Sequence, residues 1–275
     1  MSDPKALYLD LMKKCLTYYL WGETTAPFDM TVAHPLINKL FVRPVVNLLQ
    51  KFGMQIIREL PYDPVKRAEG RDWPPLADTM IGLKRLDNLQ FCVESVIKNN
   101  IPGDVIETGV WRGGGSIFMR AVLRAYAVTD KTVWVADSFQ GLPPPDVEKY
   151  PQDKGDIHHE IRFLAVSCEQ VKANFAKYGL LDDQVRFLEG WFKDTLPTAP
   201  IDKLSVIRLD GDMYESTMDG FNNLYPKLSV GGYVIVDDYV LTGCRKAVHD
   251  YRVAHAITEE IIDIDGTGAY WQRKK

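Results

Sequence analysis

Acidic side chains follow two apolar runs in the second half of the chain, at the point where each run ends. Asp210 and Asp212 follow LSVIRL, and Asp237 and Asp238 follow GGYVIV. Both runs are short and rich in β-branched residues, which predicts strands. If these strands are parallel neighbours, their carboxyl ends open on one crevice and the four acids converge there. A cluster of oxygen ligands alone suits Mg²⁺, Ca²⁺ or Mn²⁺.

Two interpretations of these acids remain open on the residues alone. As separate turn residues they would be solvated, and one such acid at a strand end is ordinary. Four acids on two neighbouring strands, at the same edge as Glu107 and Asp137, instead favour a shared site. Carboxylates about 4 Å apart repel by roughly 4 kcal/mol per pair at an effective dielectric near 20. Either some of them carry protons, therefore, or a hard cation lies among them.

A glycine-rich turn, ETGVWRGGGS (107–116), leaves the first strand of this region and opens a helix. Glycines there let the backbone approach a ligand closely, and the first N–H groups of the helix are free to bind it. The alternative is a tight strand-to-helix turn that binds nothing. The spacing is not GxGxxG, which argues against a nicotinamide oxidoreductase.

Asp137 and the pair Gly190-Trp191 end two further predicted strands. An acid in the position of Asp137 accepts both hydroxyls of a ribose in nucleotide-binding α/β folds. The alternative is that Asp137 caps its own turn. The indole of Trp191 suits one face of an adenine, although tryptophan is also common in cores and at rims.

The segment GLPPPDVEKYPQDKGDIHHE is long for a loop in a compact fold. Its length and its content of proline and charge predict a lid. His158-His159-Glu160 within it resembles a metal triplet but has neither HExxH spacing nor a helical frame. We therefore expect these three side chains on the surface of the lid.

The elements that position these residues alternate between strand and helix from residue 104 onwards. This alternation predicts an α/β fold with a doubly wound, mostly parallel sheet. The terminal segment 259–274 predicts an antiparallel edge hairpin around Asp265-Gly266. The predicted strands are 104–110, 132–138, 184–190, 204–212 and 231–239, and the clearest helices are 83–100 and 114–128.

The amino-terminal part has a different pattern, which predicts a helical extension. Apolar residues at three-to-four spacing predict helices over 5–22 and roughly 35–60, joined by the connector TTAPFDMTVAHP. The proline-rich segment 59–82 is predicted to be a loop. We expect residues 1–75 to form a helical N-terminal extension, serving as a lid or in dimer contacts, and 76–275 to form the catalytic domain.

Composition narrows the class of partner. The 275 residues carry a formal net charge of −4, which argues against a nucleic-acid partner because such proteins usually carry a basic patch. The four cysteines are far apart in sequence and form no zinc or disulfide pattern. The chain shows neither a signal-peptide core nor an apolar run as long as a membrane span. We therefore expect a cytoplasmic protein with no membrane partner.

Several segments closely resemble the macrocin O-methyltransferase family, whose members act on deoxysugars of macrolide and aminocoumarin antibiotics. The resemblance covers residues from about 71 to the carboxyl terminus densely, and the first seventy residues more loosely. The segments that carry it are RDWPPLADTMIGLKRLDNL (71–89), GDVIETGVWRGGGSIFMRAVL (103–123), VWVADSFQGLPPPD (133–146), EGWFKDTLP (189–197), RLDGDMYESTMD (208–219) and GGYVIVDDY (231–239).

The resemblance implies a class I methyltransferase (Rossmann-like) fold with S-adenosylmethionine as the methyl donor. It also implies Mg²⁺ bound by Asp210, Asp237 and Asp238, with Asp212 as the general base; the oxygen ligands would equally permit Mn²⁺. The positions where the family holds the donor correspond to Thr79, Met80, Glu107, Gly109, Ser116, Asp137, Ser138, Gly190 and Trp191.

The implied function is methyl transfer to a hydroxyl of a deoxysugar on a glycosylated natural product, in antibiotic biosynthesis, by a homodimer. One alternative is a catechol-type phenol O-methyltransferase, which also needs a divalent cation and two adjacent hydroxyls. A second alternative is a non-catalytic protein that binds the donor. The acids alone do not separate the first two, whereas the TMIG and GWFKDTLP segments favour the sugar enzyme.

Overall fold

A seven-stranded sheet forms the centre of the protein, whose computed structural model describes residues 3–22, 24–28, 35–72 and 74–275. The strand order is β5-β4-β3-β6-β7-β9-β8. Neighbours from β5 to β7 are parallel, and β9 is antiparallel to both β7 and β8. The strands are β3 Asp104–Thr108, β4 Val133–Asp137, β5 Val185–Glu189, β6 Leu204–Leu209, β7 Leu228–Val236, β8 Ile262–Asp263 and β9 Ala269–Gln272.

Helices cover both faces of this sheet because successive strand residues point to opposite sides. Val105, Val135 and Val206 lie in one core, which is shared with α1, α5, α6 and α7. Ile106 and Ile207 lie in the other core, beneath α9 and α10. The predicted doubly wound fold is therefore confirmed. The helices are α5 Leu83–Lys98, α6 Gly114–Ala125, α7 Cys168–Lys177, α8 Phe192–Thr195, α9 Tyr214–Leu224 and α10 Thr242–Ala254.

The amino-terminal part departs from the predicted pair of long helices. Helix α1, Pro4–Leu16, matches the first of them and ends earlier than predicted. The second is interrupted, because Gly53 adopts a left-handed φ of 70° after α3. The structure there contains α2 Pro35–Ile37, a π-helical turn Asn38–Val42, α3 Arg43–Gln50 and the antiparallel pair β1 Thr24–Pro27 and β2 Ile57–Leu60.

The segment predicted as the loop 59–82 also contains a short helix, α4 Pro64–Glu69. Asp63 caps it by accepting from the backbone N–H groups of Val65 and Lys66, and Pro64 occupies the first helical position. This Asp-Pro start signal was present in the sequence. Residues 29–34 of the predicted connector lie outside the described residues. Among the helices that are described, none is long and apolar enough to cross a membrane.

Candidate active site

The candidate site lies where the parallel strands end, and the backbone ladder continues one residue beyond each of them. This continuation holds the residues that follow the strands side by side along one edge of the sheet. The N–H to O=C bonds are Gly109 to Ala136 at 2.9 Å, Gly190 to Asp137 at 2.9 Å, Asp210 to Thr108 at 2.9 Å and Asp237 to Leu209 at 2.8 Å.

Three carboxylates meet at the ends of β6 and β7. Asp210, Asp237 and Asp238 each offer an oxygen, and these oxygens lie within 4.8 Å of one another. The backbone N–H of Asp212 donates to Oδ2 of Asp238 over 3.2 Å. Asp212 itself adopts a left-handed φ of 59°, which few non-glycine residues do. The turn after β6 therefore holds Asp212 against the three-carboxylate cluster.

Arg208, which the sequence analysis did not single out, lies beneath this cluster. Its Nη1 contacts Oε1 of Glu107 at 2.6 Å and Oδ2 of Asp210 at 2.8 Å. Its Nη2 lies 2.5 Å from Oδ1 of Asp237. The side chain is buried, so one guanidinium neutralises part of the charge of three acids. An arginine inside an otherwise apolar strand was the signal that could have revealed it, because arginine is rarely buried unless it is paired.

A second arginine approaches the cluster from α5. Nη1 of Arg85 lies 2.5 Å from Oδ2 of Asp237, and its Nε lies 3.1 Å from Oδ2 of Asp265 in the edge hairpin. Asp237 thus faces two arginines. Each of the two carboxylate oxygens of Asp237 still has a second lone pair available for a cation.

Even with Arg208 and Arg85 nearby, the positive charge at the cluster does not balance the negative charge of its carboxylates. Burial raises the pKa of Asp238 well above its usual range, and repulsion from Asp212, Asp210 and Asp237 raises it further. Burial and the charge of Asp210 raise the pKa of Asp212 to about 7. Four closely spaced acids with oxygen ligands only are the donor set that a hard divalent cation prefers. The residues therefore fit Mg²⁺ or Mn²⁺.

Glu107 points away from the cleft and into the core. Arg208 pairs with one of its oxygens, while the hydroxyl of Ser116 donates to the other. Burial raises the pKa of Glu107 to about 7, although Arg208 opposes this shift. Gly115 leaves room for this carboxylate, because an added Cβ would collide with it. Glu107 and Ser116 therefore support the glycine-rich turn from below.

Asp137 binds two backbone N–H groups at the end of β4. It accepts from Val110 of the glycine-rich turn and from Phe139, each over 2.7 Å. The capping interpretation of this residue is therefore correct. Its carboxylate also lines the cleft.

The predicted site residues divide into those that line the cleft and those that do not. Thr79 is buried next to the start of α6, where Gly114 donates to the carbonyl of Asp78 over 2.9 Å. The residues lining the cleft are Met80, Gly109, Asp137, Ser138, Trp191, Asp210 and Asp212. The others are the buried Thr79, Glu107, Ser116 and Asp237 and the partly buried Gly190 and Asp238.

The long loop after β4 is folded onto this site. His158 is partly buried rather than on the outer surface, and its Nδ1 lies 2.7 Å from Oδ2 of Asp156. Burial opposes protonation of His158, but Asp156 and the nearby Asp212 raise its pKa overall. The neighbouring Asp153 is 3% exposed and binds the start of α9. The histidine therefore belongs to the surroundings of Asp212.

A family model of macrocin-O-methyltransferases matches residues 5–273, which is nearly the whole chain. The chain belongs to the macrocin O-methyltransferase family. The match to the family model includes the amino-terminal extension, which lies outside the segments on which the resemblance was based. The protein is therefore an S-adenosylmethionine-dependent O-methyltransferase.

Similar O-methyltransferases cover most or nearly all of this chain. An 8-demethyl-8-(2,3-dimethoxy-alpha-L-rhamnosyl)-tetracenomycin-C 4'-O-methyltransferase from Streptomyces olivaceus is 53% identical over 98% of this chain and 94% of its own length. A demethyldecarbamoylnovobiocin O-methyltransferase from Streptomyces niveus is 60% identical over 79% of this chain and 84% of its own length. The solved O-methyltransferase NovP is 51% identical, with a TM-score of 0.84 over 98% of this chain and 100% of that one.

The glycine-rich turn of this macrocin O-methyltransferase gives a first testable prediction. Gly109→Ala is expected to destabilise the protein by about 1–3 kcal/mol more than Gly179→Ala. Both glycines have positive φ, at 80° and 65°. An added Cβ at position 109 meets the carbonyl of Asp210, whereas position 179 has no atom within 4 Å. Denaturant unfolding of both variants measures the difference, and equal losses would contradict the close approach of the turn to β6.

Proposed function

We propose that this enzyme transfers a methyl group from S-adenosylmethionine to a hydroxyl of a deoxysugar on a glycosylated natural product, in antibiotic biosynthesis. We also propose that Asp210, Asp237 and Asp238 hold Mg²⁺ or Mn²⁺ and that Asp212 is the general base. The observation that carries this proposal is the set of three carboxylate oxygens within 4.8 Å, beside a fourth acid that lines the cleft. The names of the two similar enzymes, which act on a rhamnosyl-tetracenomycin and on a novobiocin precursor, support the acceptor class.

For the donor, we propose that Gly109, Asp137 and Ser138 contact its ribose and amino-acid portions, with Met80 and Trp191 beside its adenine and sulfonium. These five residues line one continuous cleft. The residues that do not line the cleft, Thr79, Glu107, Ser116 and Gly190, would act by fixing the backbone that the donor touches.

The mechanism follows from the cluster and the turn beside it. A bound divalent cation supplies Lewis acidity, which makes an acceptor hydroxyl easier to deprotonate. Asp212 accepts the proton of that hydroxyl, and burial, which raises its pKa, favours this uptake of a proton. The oxygen then attacks the methyl carbon in line with the departing sulfur. Holding the two in near-attack geometry supplies effective molarities of up to about 10⁵–10⁸ M.

The proposal is tested by methyl transfer from S-adenosylmethionine to a panel of deoxysugar glycosides and catechols, before and after removal of divalent cations. Cation-dependent transfer to a glycoside is the expected result. Transfer to catechols alone would move the acceptor to the phenol class. Full activity after chelation, with no loss at any chelator concentration, would overturn the metal assignment.

A second prediction concerns the cation itself. Asp238→Asn removes one charged oxygen from the three-carboxylate cluster and is expected to raise the Mg²⁺ concentration for half-maximal activity at least about tenfold, since even outer partners of metal sites have effects of that size. Asp219→Asn is the matched control, because Asp219 lines the cleft outside the cluster. Identical Mg²⁺ titrations of the two variants would contradict the ligand assignment.

We further propose that the protein is a cytoplasmic homodimer in which the helical extension within residues 1–75 makes the contacts between copies. Support comes from apolar side chains exposed around α2 and α3, including Leu40 at 62%, Phe41 at 69% and Phe52 at 70%. Large apolar side chains exposed together in one segment favour an interface. The four cysteines are unpaired, as expected in a reducing compartment. Light scattering of Phe41→Asp should show a monomer if this surface joins two copies.

A further inference from the structure

The start of α9 receives its cap from a distant part of the chain. The N-cap residue of this helix, Met213, provides no side-chain hydrogen bond. Instead, Oδ1 of Asp153 accepts from the N–H of Tyr214 over 2.6 Å, and Oδ2 accepts from the N–H of Glu215 over 3.1 Å. Asp153 lies 61 residues earlier, in the long loop after β4, and is only 3% exposed.

The helix start that Asp153 caps continues directly from the turn of Asp212. Asp212 lies two residues before α9, and its φ of 59° requires the surrounding structure to hold it in that conformation. The hydroxyl of Ser216, in the first turn of α9, also donates to the carbonyl of Gly211. Any movement of the first turn of α9 is therefore transmitted to the backbone of Asp212.

The same loop has a second attachment, on the donor side of the cleft. Nε1 of Trp111, in the glycine-rich turn, donates to the carbonyl of Phe163 over 2.9 Å. Between the two attachments lies the pair Asp156–His158, which interacts electrostatically with Asp212. The loop thus connects the glycine-rich turn to the turn that carries Asp212.

We propose that Asp153 is a positioning residue for methyl transfer, which fixes the orientation of Asp212 by clamping the loop onto the start of α9. This proposal rests on the proposed function, because it assigns Asp153 a role that acts through the general base. Without the carboxylate, two N–H groups at the helix start lose their partners and the loop loses its attachment on the Asp212 side. A displacement of about 1 Å at a reacting group lowers rates by about a hundredfold.

The test compares three variants that disturb this contact differently. Asp153→Ala removes both acceptors and is expected to lower kcat about ten- to a hundredfold without changing the affinity for S-adenosylmethionine. Asp153→Asn keeps one acceptor oxygen but turns its amide NH2, a donor, toward the second N–H, so its kcat should lie between those of the wild type and Asp153→Ala. Gly243→Ala leaves Asp153 intact, but its added Cβ would lie 2.8 Å from Oδ1 of Asp153 and displace the carboxylate.

Gly243→Ala also tests whether a loss of kcat results from a folding defect. Gly243 lies in the first turn of α10, where alanine is the better helix former, so the substitution does not weaken that helix intrinsically. The expected signature is a fall in kcat like that of Asp153→Ala with unchanged affinity for S-adenosylmethionine, beside a stability loss no larger than that of losing a helix cap, about 0.5–2 kcal/mol. The matched control is Asp63→Ala, which removes a comparable cap from α4 and should keep kcat unchanged.

The outcomes separate this proposal from the proposed function. If Asp212→Asn is inactive while Asp153→Ala and Gly243→Ala keep the wild-type kcat, the positioning role of Asp153 is wrong and the base assignment stands. If Asp212→Asn is fully active, the assignment of Asp212 as the base is wrong, and the positioning role of Asp153, which acts through that base, is wrong with it. Equal losses of kcat and of donor affinity in Asp153→Ala would show a general structural role instead and would overturn the proposal.

Discussion

Asp212→Asn is expected to lower kcat by roughly 10²–10⁴-fold, the usual contribution of a general base. The asparagine amide has nearly the shape of the carboxylate but cannot take a proton from the acceptor hydroxyl. The backbone N–H of residue 212 would still donate to Asp238, so the turn itself is expected to persist. Affinity for S-adenosylmethionine, measured by calorimetry, is therefore expected to stay at the wild-type value.

Two other variants distinguish the loss of the general base from other effects of removing an acid. Asp219→Asn also removes an acid from the cleft wall, but one outside the three-carboxylate cluster, and is expected to keep its kcat. The Mg²⁺ concentration for half-maximal residual activity should be unchanged in Asp212→Asn, in contrast to Asp238→Asn. Wild-type turnover by Asp212→Asn would remove this residue from the base role.

Arg208→Met is expected to lower the free energy of unfolding by about 3–5 kcal/mol, as is typical when one partner of a buried ion pair is removed. The reason is that the buried Glu107 would lose the guanidinium that pairs with it, and the buried Asp237 would keep only Arg85 of its two arginine partners. Methionine fills a similar volume, so the loss would report on charge rather than on a cavity. Denaturant unfolding in metal-free buffer measures this effect.

The control and the double variant test the electrostatic origin of that loss. Arg186→Met replaces an exposed arginine of β5 and should change stability by no more than about 0.5 kcal/mol. Adding Glu107→Gln to Arg208→Met removes one unpaired charge, so the two changes should be less than additive. Fully additive losses would show that Arg208 stabilises the protein by packing and not through Glu107.

The strands and the acids at their ends were predictable because both signals are local. A β-branched run followed by carboxylates identifies a strand and its end, and the parallel order of β6 and β7 then brings Asp210, Asp237 and Asp238 together. The hairpin at the sheet edge was predictable for the same reason, from its Asp265-Gly266 turn. Helix α4 was missed although its Asp63-Pro64 start signal was equally local.

The strand β2 could not be predicted in the same way. Residues 57–60 follow an apolar helical pattern, and they form a strand because they pair with residues 24–27, some thirty positions earlier. Pairing over such a distance overrides the local preference of a short segment. The helix predicted over 35–60 therefore ends at Gln50.

The sequence by itself determined the fold class, the edge of the sheet that carries the site, and membership in the macrocin O-methyltransferase family. Only the tertiary structure decided how the charges of that site are balanced and held. Arg85 of α5 pairs with both Asp237 and Asp265, which lie on separate elements, and Asp153 caps α9 from another loop. The physical reason is that strand ends and turns are encoded by neighbouring residues, whereas the pairing of buried charges depends on which distant segments the packed cores bring together.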